Sequence, residues 1–257
     1  IDVEMLSGKT KYLKKKIILD KVKNNKINII FGTHSLFQKK ILFNNLGYII
    51  IDEQHKFGVK QRKLLSDKGG RNCDVLLMSA TPIPRTLTMT LYGDMDLSII
   101  REKPKFRKEI KTYSKLESKI EDVIKFVKKE LKQDNQIFWV CPLIEESKKI
   151  DHESVVKKFT YLKKIFPDVV GILHGKVDQY EKEKILQDFL NKKYKILVST
   201  TIIEVGIDFP NANLIVIENA NKFGLSQLHQ LRGRVGRGTK QASCILMFKS
   251  NLSKNAR

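Results

Sequence analysis

Several residue types that restrict a protein to one class are scarce in this 257-residue sequence. It contains three cysteines, six prolines and one tryptophan, so neither a disulfide framework nor a proline-rich segment organises it. No apolar run approaches the ~20 residues of a membrane-spanning helix. The opening residues, IDVEMLSGKTKYLKKK, lack the apolar segment and small-residue cleavage site of a secretory signal. We therefore expect a protein of a reducing, cytoplasmic compartment.

Acidic residues are also scarce relative to basic ones. There are 28 Asp and Glu against 49 Lys and Arg, which gives a formal net charge of +21. Such an excess favours a polyanionic partner such as nucleic acid, because neutralised phosphates release condensed counterions. Only nine of the basic residues are arginine, and an AT-rich genome would also enrich lysine, so the charge alone leaves both explanations open. Three of the nine arginines lie within 232–237, which codon usage does not explain.

Short apolar runs alternate with longer segments of helical spacing. The helical segments are 117–132, 153–166, 178–191 and 224–232. The apolar runs are too short for helices and resemble parallel strands buried on both faces. This alternation predicts an α/β protein built from right-handed βαβ units. The predicted strands are INIIF (27–31), GYIIID (47–52), DVLLMS (74–79), DLSII (96–100), IFWVC (137–141), VVGIL (169–173), KILVST (195–200), NLIVIE (213–218) and SCILMF (243–248).

One polar segment interrupts the alternation. Residues 101–115, REKPKFRKEIKTYSK, are rich in lysine, contain a proline and follow a predicted strand without a helix. We interpret them as a linker between two α/β domains, 1–111 and 112–257. The second domain looks complete, whereas the first has little before its first clear strand.

The run YIIIDEQH (48–55) ends a predicted strand with two acids, Asp52 and Glu53. Ligands of open parallel sheets bind at the carboxyl ends of strands. In phosphoryl transfer, one such acid orders Mg²⁺ and its neighbour positions the attacking water. A solvated strand end with two acids is the alternative, and the run alone does not decide between them.

The next predicted strand ends in Ser79-Ala80-Thr81. Small hydroxyl residues there can bond the acids of the adjacent strand end and respond to loss of a phosphate. A serine or threonine cap on the following helix would explain the same residues equally well.

The most specific signal is QLHQLRGRVGRG (227–238). If this segment is helical, the spacing of three puts Arg234 and Arg237 on one face. Two guanidiniums presented together suit a triphosphate and its transition-state charge. A basic surface helix is the alternative, but three glycines within six residues argue against it.

In this order the motifs resemble those of superfamily 2 helicases and translocases. The resemblance extends over nearly the whole chain. Together the motifs resemble those of the RecG type, the bacterial ATP-dependent DNA helicases that remodel stalled forks and recombination junctions. The transcription-repair coupling factor shares much of the pattern. The resemblance implies two RecA-like parallel-sheet domains of the P-loop NTPase type, the first truncated at its N-terminus. The matching phrases are GTHSLF (32–37), DEQHKFGVKQR (52–62), SATPIPRTL (79–87), LHGKV (173–177), STTIIEVGIDFPNAN (199–213) and LHQLRGRVGRG (228–238).

The resemblance also implies roles for the matching residues. Asp52 would hold Mg²⁺ indirectly and Glu53 would activate water, as catalytic residues together with Arg234 and Arg237. The residues implied to contact ATP are Asp52, Gln54, His55, Asp208 at the ribose, Gln230, Arg234 and Arg237. The coupling residues would be Ser79 and Thr81. The implied DNA contacts are Gly32, Thr33, Thr200, Thr201 and Gly206.

A helicase motor also needs a phosphate loop, G-x-x-x-x-G-K-[ST]. Ser7-Gly8-Lys9-Thr10 resembles its end, but Val3 stands where the first glycine belongs. No apolar strand is apparent before it, the basic helix after it looks unsuited to packing on a sheet, and only 44 residues separate Gly8 from Asp52. We interpret 6–10 as a later segment of RecG-like chains. We expect the phosphate loop to lie before Ile1, and the first domain to lack its central strand and so to carry an unpaired sheet edge.

These expectations define the predicted function. The chain would be part of a monomeric, ATP- and Mg²⁺-dependent DNA helicase that acts on branched or forked DNA in repair and recombination. It would work in the bacterial cytoplasm, associated with the nucleoid and without a membrane, and this piece alone would be inactive. The alternative is a non-catalytic DNA-binding remnant of a split or decayed helicase gene.

Overall fold

The computed structural model describes residues 1–8, 10–53, 64–65, 67–70, 73–79, 96–102, 104, 107–142, 148–200 and 208–250. It is an α/β protein whose strands all pair in parallel within these ranges. The chain divides into two compact units, Ile1–Leu97 and Ser98–Arg257. Residues 98–111, assigned by the sequence to the first domain, therefore group with the second unit.

The second unit contains one six-stranded sheet. Its helices are α2 (Ile120–Lys132), α3 (Lys148–Ile165), α4 (Gln179–Leu190) and α5 (Leu225–Arg232), which agree with the four helical segments predicted. The strands are β5 (Lys111–Leu116), β6 (Gln136–Val140), β7 (Val170–Leu173), β8 (Ile196–Ser199), β9 (Ala212–Ile217) and β10 (Ser243–Phe248). Their spatial order in the sheet is β5-β10-β9-β6-β8-β7.

Both faces of this sheet are covered. Every residue of β6, β8 and β9 is buried, as expected for parallel strands between two helical layers. Alternate side chains of β6 enter two different cores: Phe138 packs with Phe189 and Phe209, whereas Trp139 packs with residues of α2 and α3 such as Val127 and Leu162. The apolar runs of this unit are thus explained by burial on two sides.

The first unit contains two separate strand pairs. β1 (Val3–Leu6) pairs with β2 (Ile29–Gly32), and β3 (Tyr48–Ile51) pairs with β4 (Asp74–Leu77). Helix α1 (Tyr12–Lys23) buries Ile18 and Val22 against Leu6 and Ile41. A second small core forms from Phe37, Ile49, Ile51 and Leu65.

The two pairs are not joined by any strand among the described residues, in agreement with the predicted unpaired sheet edge. A cavity of about 860 Å³ lies within this unit and is lined by residues of β2 and β3. Apolar side chains next to it remain open to solvent: Phe31 is 61% exposed and Ile50 is 57% exposed. Within the described ranges, the strands of this unit therefore form two separate pairs and not one continuous sheet.

Three predictions about strands were wrong. A strand, β1, does precede Ser7; it has only four residues, and Glu4 interrupts its apolar pattern. The supposed linker contains β5, all of whose residues are exposed, because backbone pairing with β10 rather than side-chain burial forms this edge strand. Residues 96–100 form no strand, and Ile100 is 93% exposed.

The helix after Ser7 also differs from expectation. α1 is basic, but two of its apolar residues do pack on β1. No helix within the described ranges is long and apolar enough to cross a bilayer.

Candidate functional site

Two acidic residues of the first unit lie at one sheet edge with a hydroxyl residue. Asp52 and Glu53 follow β3 directly, and Ser79 lies two residues after β4. Because β3 and β4 are parallel, with Ile51 opposite Leu77, their carboxyl ends meet at the same edge. The structure therefore brings together the acids and the first residue of the predicted coupling motif.

The backbone after β3 turns sharply. Glu53 has a φ of 49°, in the left-handed region that non-glycine residues rarely adopt. Its amide N–H donates to Asp52 Oδ1 at 2.8 Å, which helps to hold this turn. Backbone strain of this kind costs about 1–3 kcal/mol and concentrates at functional sites. The turn leaves Asp52 exposed at the strand end, where a carboxylate can meet a hydrated cation.

The donor set at this edge fits Mg²⁺ rather than a caged metal. Among the described residues there is no group of three or more His, Cys, Asp and Glu side chains that could hold an ion. Mg²⁺ keeps several waters and commonly takes only one or two protein carboxylates together with substrate phosphates. Asp52 can supply that single carboxylate.

Gly32 and Thr33 lie where β2 ends. A Cβ on Gly32 would lie 2.6 Å from both the Leu6 carbonyl oxygen and the Leu36 side chain, so only glycine fits there. Thr33 precedes the 3₁₀ turn His34–Phe37. Gly32, Thr33 and Asp52 all line the 860 Å³ cavity of this unit.

The segment that resembles the end of a phosphate loop forms a tight turn after β1. The Ser7 N–H donates to Thr10 Oγ1 at 3.0 Å, and the Thr10 N–H donates to the Ser7 carbonyl at 3.1 Å. Although a strand and a packed helix do flank this turn, Val3 still occupies the position of the first glycine. Lys9 lies outside the described residues.

In the second unit, Arg234 and Arg237 do not lie on a helix, contrary to the expectation from their spacing. Helix α5 ends at Arg232, and both arginines occupy the turn that follows. The glycines explain the change: Gly236 has a φ of +70°, and a Cβ on Gly238 would lie 2.5 Å from the Pro210 carbonyl oxygen.

The Arg237 guanidinium is held by two groups. Its Nη1 pairs with Asp208, and its Nε donates to the Gly233 carbonyl at 3.4 Å. Partial burial lowers the pKa of Arg237, and the neighbouring charge of Arg107 lowers it further, although the group remains protonated. The predicted ribose contact, Asp208, is thus placed beside an arginine of the motif. Gln230 is half-buried on α5.

Two hydroxyls are buried where β8 ends. Ser199 is fully buried and Thr200 is 2% exposed, and neither side-chain oxygen has a hydrogen-bond partner in the described structure. An unsatisfied buried hydroxyl costs about 1–3 kcal/mol, so these groups are suited to a polar ligand or a neighbouring loop. Thr200 was predicted as a DNA contact. Ser199 was missed, although it begins the run of three hydroxyl residues that ends the strand.

Five predicted site residues lie outside the described residues: Gln54, His55, Thr81, Thr201 and Gly206. Sequence reasoning also missed Arg107, which contacts the arginine turn. The only signal for Arg107 was the rarity of arginine, which accounts for nine of the 49 Lys and Arg residues.

Two family models match the chain. The DEAD/DEAH box helicase model matches residues 2–90, and the helicase conserved C-terminal domain model matches residues 118–239. Both are RecA-like helicase domains, in agreement with the parallel sheets of the two units.

Full-length relatives give a more specific match. The chain is 51% identical over 249 residues to the ATP-dependent DNA helicase RecG of Aquifex aeolicus, covering 96% of this chain and 31% of the relative. It is 47% identical to RecG of Bacillus subtilis, covering 96% and 36% respectively. A solved structure of RecG bound to a three-way DNA junction is 42% identical, with a TM-score of 0.69, and the match covers 100% of this chain and 33% of that one. The chain thus spans about a third of the length of the relatives it matches.

Proposed function

Because this chain belongs to the RecG-type superfamily 2 helicases, we propose that it is the C-terminal helicase portion of an ATP-dependent DNA helicase. The whole protein would remodel branched DNA, namely stalled replication forks and recombination (Holliday) junctions. The observation that carries the proposal is the pairing of β3 with β4, which places Asp52, Glu53 and Ser79 at one edge.

In this proposal the two units have different tasks. Residues 1–97 would be a partial first RecA-like domain without the phosphate loop, and 98–257 would be the second RecA-like domain. The first would supply the acids and the second the arginines. ATP would hold the two domains together and its hydrolysis would release them, so that repeated closure moves the protein along DNA.

Mg²⁺ and ATP would bind at the acids and the arginine turn. When bound, Mg²⁺ supplies positive charge that stabilises the transferred phosphoryl group. Asp52 would order the ion through water and Glu53 would orient the attacking water. Arg234 and Arg237 would bind the triphosphate charge, since planar guanidiniums match phosphate oxygens.

The remaining nucleotide residues would set the position of the substrate. Asp208 would accept hydrogen bonds from the ribose hydroxyls, and Gln230 would orient the nucleotide beside the arginines. Gln54 and His55 would report its state from the first domain.

DNA would be gripped by its backbone. The candidate contacts are at strand ends in both units, and a motor that must accept every sequence needs contacts to phosphate rather than to bases. The net charge of +21 supports such contacts. Ser79 and Thr81 would couple the acids to DNA. The residues proposed to touch DNA are Gly32, Thr33, Thr200, Thr201 and Gly206.

We further propose that the whole protein acts as a monomer in the bacterial cytoplasm, associated with the nucleoid. The alternative is a non-catalytic DNA-binding remnant of a helicase gene. The 257-residue sequence contains no G-x-x-x-x-G-K-[ST] motif, so the two candidates are distinguished by activity in the presence of a phosphate loop from a relative.

A chimera tests the proposal. The matching third of Aquifex aeolicus RecG would be replaced by this chain, and ATP turnover would be measured with and without a three-way DNA junction. We expect DNA-stimulated turnover that Asp52→Asn abolishes, whereas Asp67→Asn, at an exposed acid of the same unit, leaves it unchanged. The chain alone should hydrolyse ATP negligibly. A folded chimera without turnover would favour the remnant.

A further inference from the structure

Two guanidiniums converge on one carbonyl oxygen in the second unit. Arg107 Nη2 donates to the Gly233 carbonyl at 3.3 Å, and Arg237 Nε donates to the same oxygen at 3.4 Å. Arg107 precedes Gly233 by 126 residues, so this contact is made by the fold and not by the motif. The segment that was expected to be only a linker therefore reaches the arginine turn.

The backbone around Arg107 is fixed on both sides. The Arg107 N–H donates to the Pro104 carbonyl at 2.8 Å, and the Lys111 N–H donates to the Ala242 carbonyl at 3.0 Å as β5 begins. Ile110 lies beside Gly236, close enough that a Cβ on that glycine would lie 3.4 Å from it. Arg107 is thus placed against the turn by a short, anchored segment.

The charges at this point are unbalanced. Arg237 is paired with Asp208, but the described hydrogen bond of Arg107 goes to a neutral carbonyl. Because both guanidiniums lie on the same carbonyl oxygen, their like charges repel each other, and after burial this repulsion contributes to the lowered pKa of Arg237. A polyanion that reaches this turn would relieve the repulsion and be attracted by both groups.

We propose that Arg107 is a positioning residue for Arg237. It holds the Gly233 carbonyl, and so the start of the turn, and it adds a second positive charge that draws the phosphates of a nucleoside triphosphate to the Arg237 guanidinium. The inference rests on the proposed function and adds to it a residue from outside the motif.

A purely structural role predicts a different result. Gly233 caps the C-terminus of α5, where a cation stabilises the unpaired carbonyls of the helix. If that were the whole role of Arg107, its loss would lower the melting temperature and leave the affinity for anions unchanged.

The test measures binding of inorganic tripolyphosphate to the 257-residue chain by calorimetry at low salt, without DNA or divalent metal. We expect Arg107→Gln to weaken binding about tenfold, a loss typical of one hydrogen bond with a charged group. Arg107→Lys, which keeps the charge, should recover most of the affinity. Lys108→Gln removes the same charge from the exposed neighbouring residue and should change the affinity less than about twofold.

A double variant separates the inference from the proposed function. If Arg107 acts through Arg237, Arg107→Gln should have little further effect in the Arg237→Ala background. Equal effects of Arg107→Gln and Lys108→Gln, or a fall in melting temperature alone, would overturn the inference. If Arg237→Ala also leaves tripolyphosphate binding intact, the arginine turn is not the phosphate site and the proposed function fails at that point. Should Arg107→Gln not fold, the same cycle is run with Arg107→Met, which also removes the charge and keeps an extended side chain, and additive effects would overturn the inference.

Discussion

Strands of nearly the same composition are half-exposed in the first unit and buried in the second. β3 reads YIII and β8 reads ILVS, yet Ile50 is 57% exposed whereas Leu197 is fully buried. β8 lies between two strands, whereas β3 has one neighbour among the described residues. The number of neighbouring strands does not decide burial either, because the edge strand β7 also pairs with one strand and three of its four residues are buried. Burial is therefore decided by what packs on the two faces of a strand and not by its own apolar content.

The residues proposed for catalysis are also divided between these two units. Asp52 and Glu53 lie in the unit whose described strands form two separate pairs, and the arginines lie in the unit with the six-stranded sheet. The five predictions that follow test this division, from the largest expected effect to the smallest.

The largest effect on ATP turnover should come from a substitution in the second unit. In the chimera, Arg237→Ala should lower ATP turnover by about 10³–10⁵, the range for an arginine that stabilises transition-state charge in phosphoryl transfer. DNA affinity should stay nearly unchanged, as measured by fluorescence anisotropy. Arg101→Ala provides the control at an exposed arginine of the same unit. An equal loss of DNA binding would assign Arg237 to the nucleic acid instead.

Hydrogen exchange should separate the two units directly. Amides of β2 and β3 should exchange on the order of 100-fold faster than those of β6 and β9, since strands at open edges are released by local rather than global unfolding. Mass spectrometry of the intact chain measures both sets at once. Equal protection from exchange in the two units would show that the strand pairs of the first unit are as stable as the six-stranded sheet of the second.

Core substitutions should show the same asymmetry. Phe138 contacts two other phenylalanine rings at centroid distances of 5.1 and 5.5 Å, so Phe138→Ala should cost about 3–5 kcal/mol of unfolding free energy. Phe37→Ala, in the small core of the first unit, should cost about 2 kcal/mol because that site can collapse or admit water. Urea denaturation followed separately in each unit checks both values, and a larger cost at Phe37 would reverse the comparison.

DNA binding by the second unit alone should be weak and independent of sequence. A truncated chain starting at Ser98 keeps β5 and Arg107, which the earlier boundary at 112 would remove. Its affinity for fork, duplex and single-stranded DNA should be similar, and on duplex DNA it should fall with salt with a log–log slope near −0.9 per neutralised phosphate. Tight fork-selective binding with little salt dependence would show that this unit itself carries specificity.

The smallest effect is a pH dependence at Asp134. Hydrogen bonds from Lys192 and then Lys195 lower the pKa of Asp134 to about 2. A lowered pKa stabilises the folded state above the unfolded value of about 3.9, and this contribution is lost as the pH falls from about 4 to 2. Because the side chain is 51% exposed, the effect should be only about 0.5 kcal/mol.

Thermal melting of Asp134→Asn between pH 6 and pH 2 measures this contribution. Asp168→Asn is the matched control, since Asp134 and Asp168 share a left-handed backbone, with φ values of 59° and 64°. If the melting temperatures of Asp134→Asn and the unsubstituted chain still differ at pH 2, the ion pairs are not the cause of that difference.

Much of the fold could be predicted because its signals are local. The apolar runs that became β2, β3, β4 and β6–β10 were located to within about two residues, as were helices α4 and α5, whereas α2 begins three residues later and α3 five residues earlier than predicted. β1 and β5 were missed because they are short or polar and form only through the backbone of a neighbour. The apolar run at 96–100 was predicted as a strand, but within the described structure no strand pairs with it.

The candidate site divides in the same way. Asp52, Glu53, Arg234 and Arg237 could be proposed as site residues from the sequence because each lies in a short motif. The helical placement of the two arginines was wrong, because Gly236 adopts a conformation that ends any helical repeat.

The order along the chain of the helices and of the apolar strands, the net charge and the motifs follow from the sequence by itself, since periodicity, composition and spacing are properties of neighbouring residues. Other features were decided only by the tertiary structure: the split of the first sheet, the pairing of Arg237 with Asp208, and the approach of Arg107 to Gly233. These depend on which strands lie side by side and on how a turn folds back, and no local pattern encodes a contact across 126 residues.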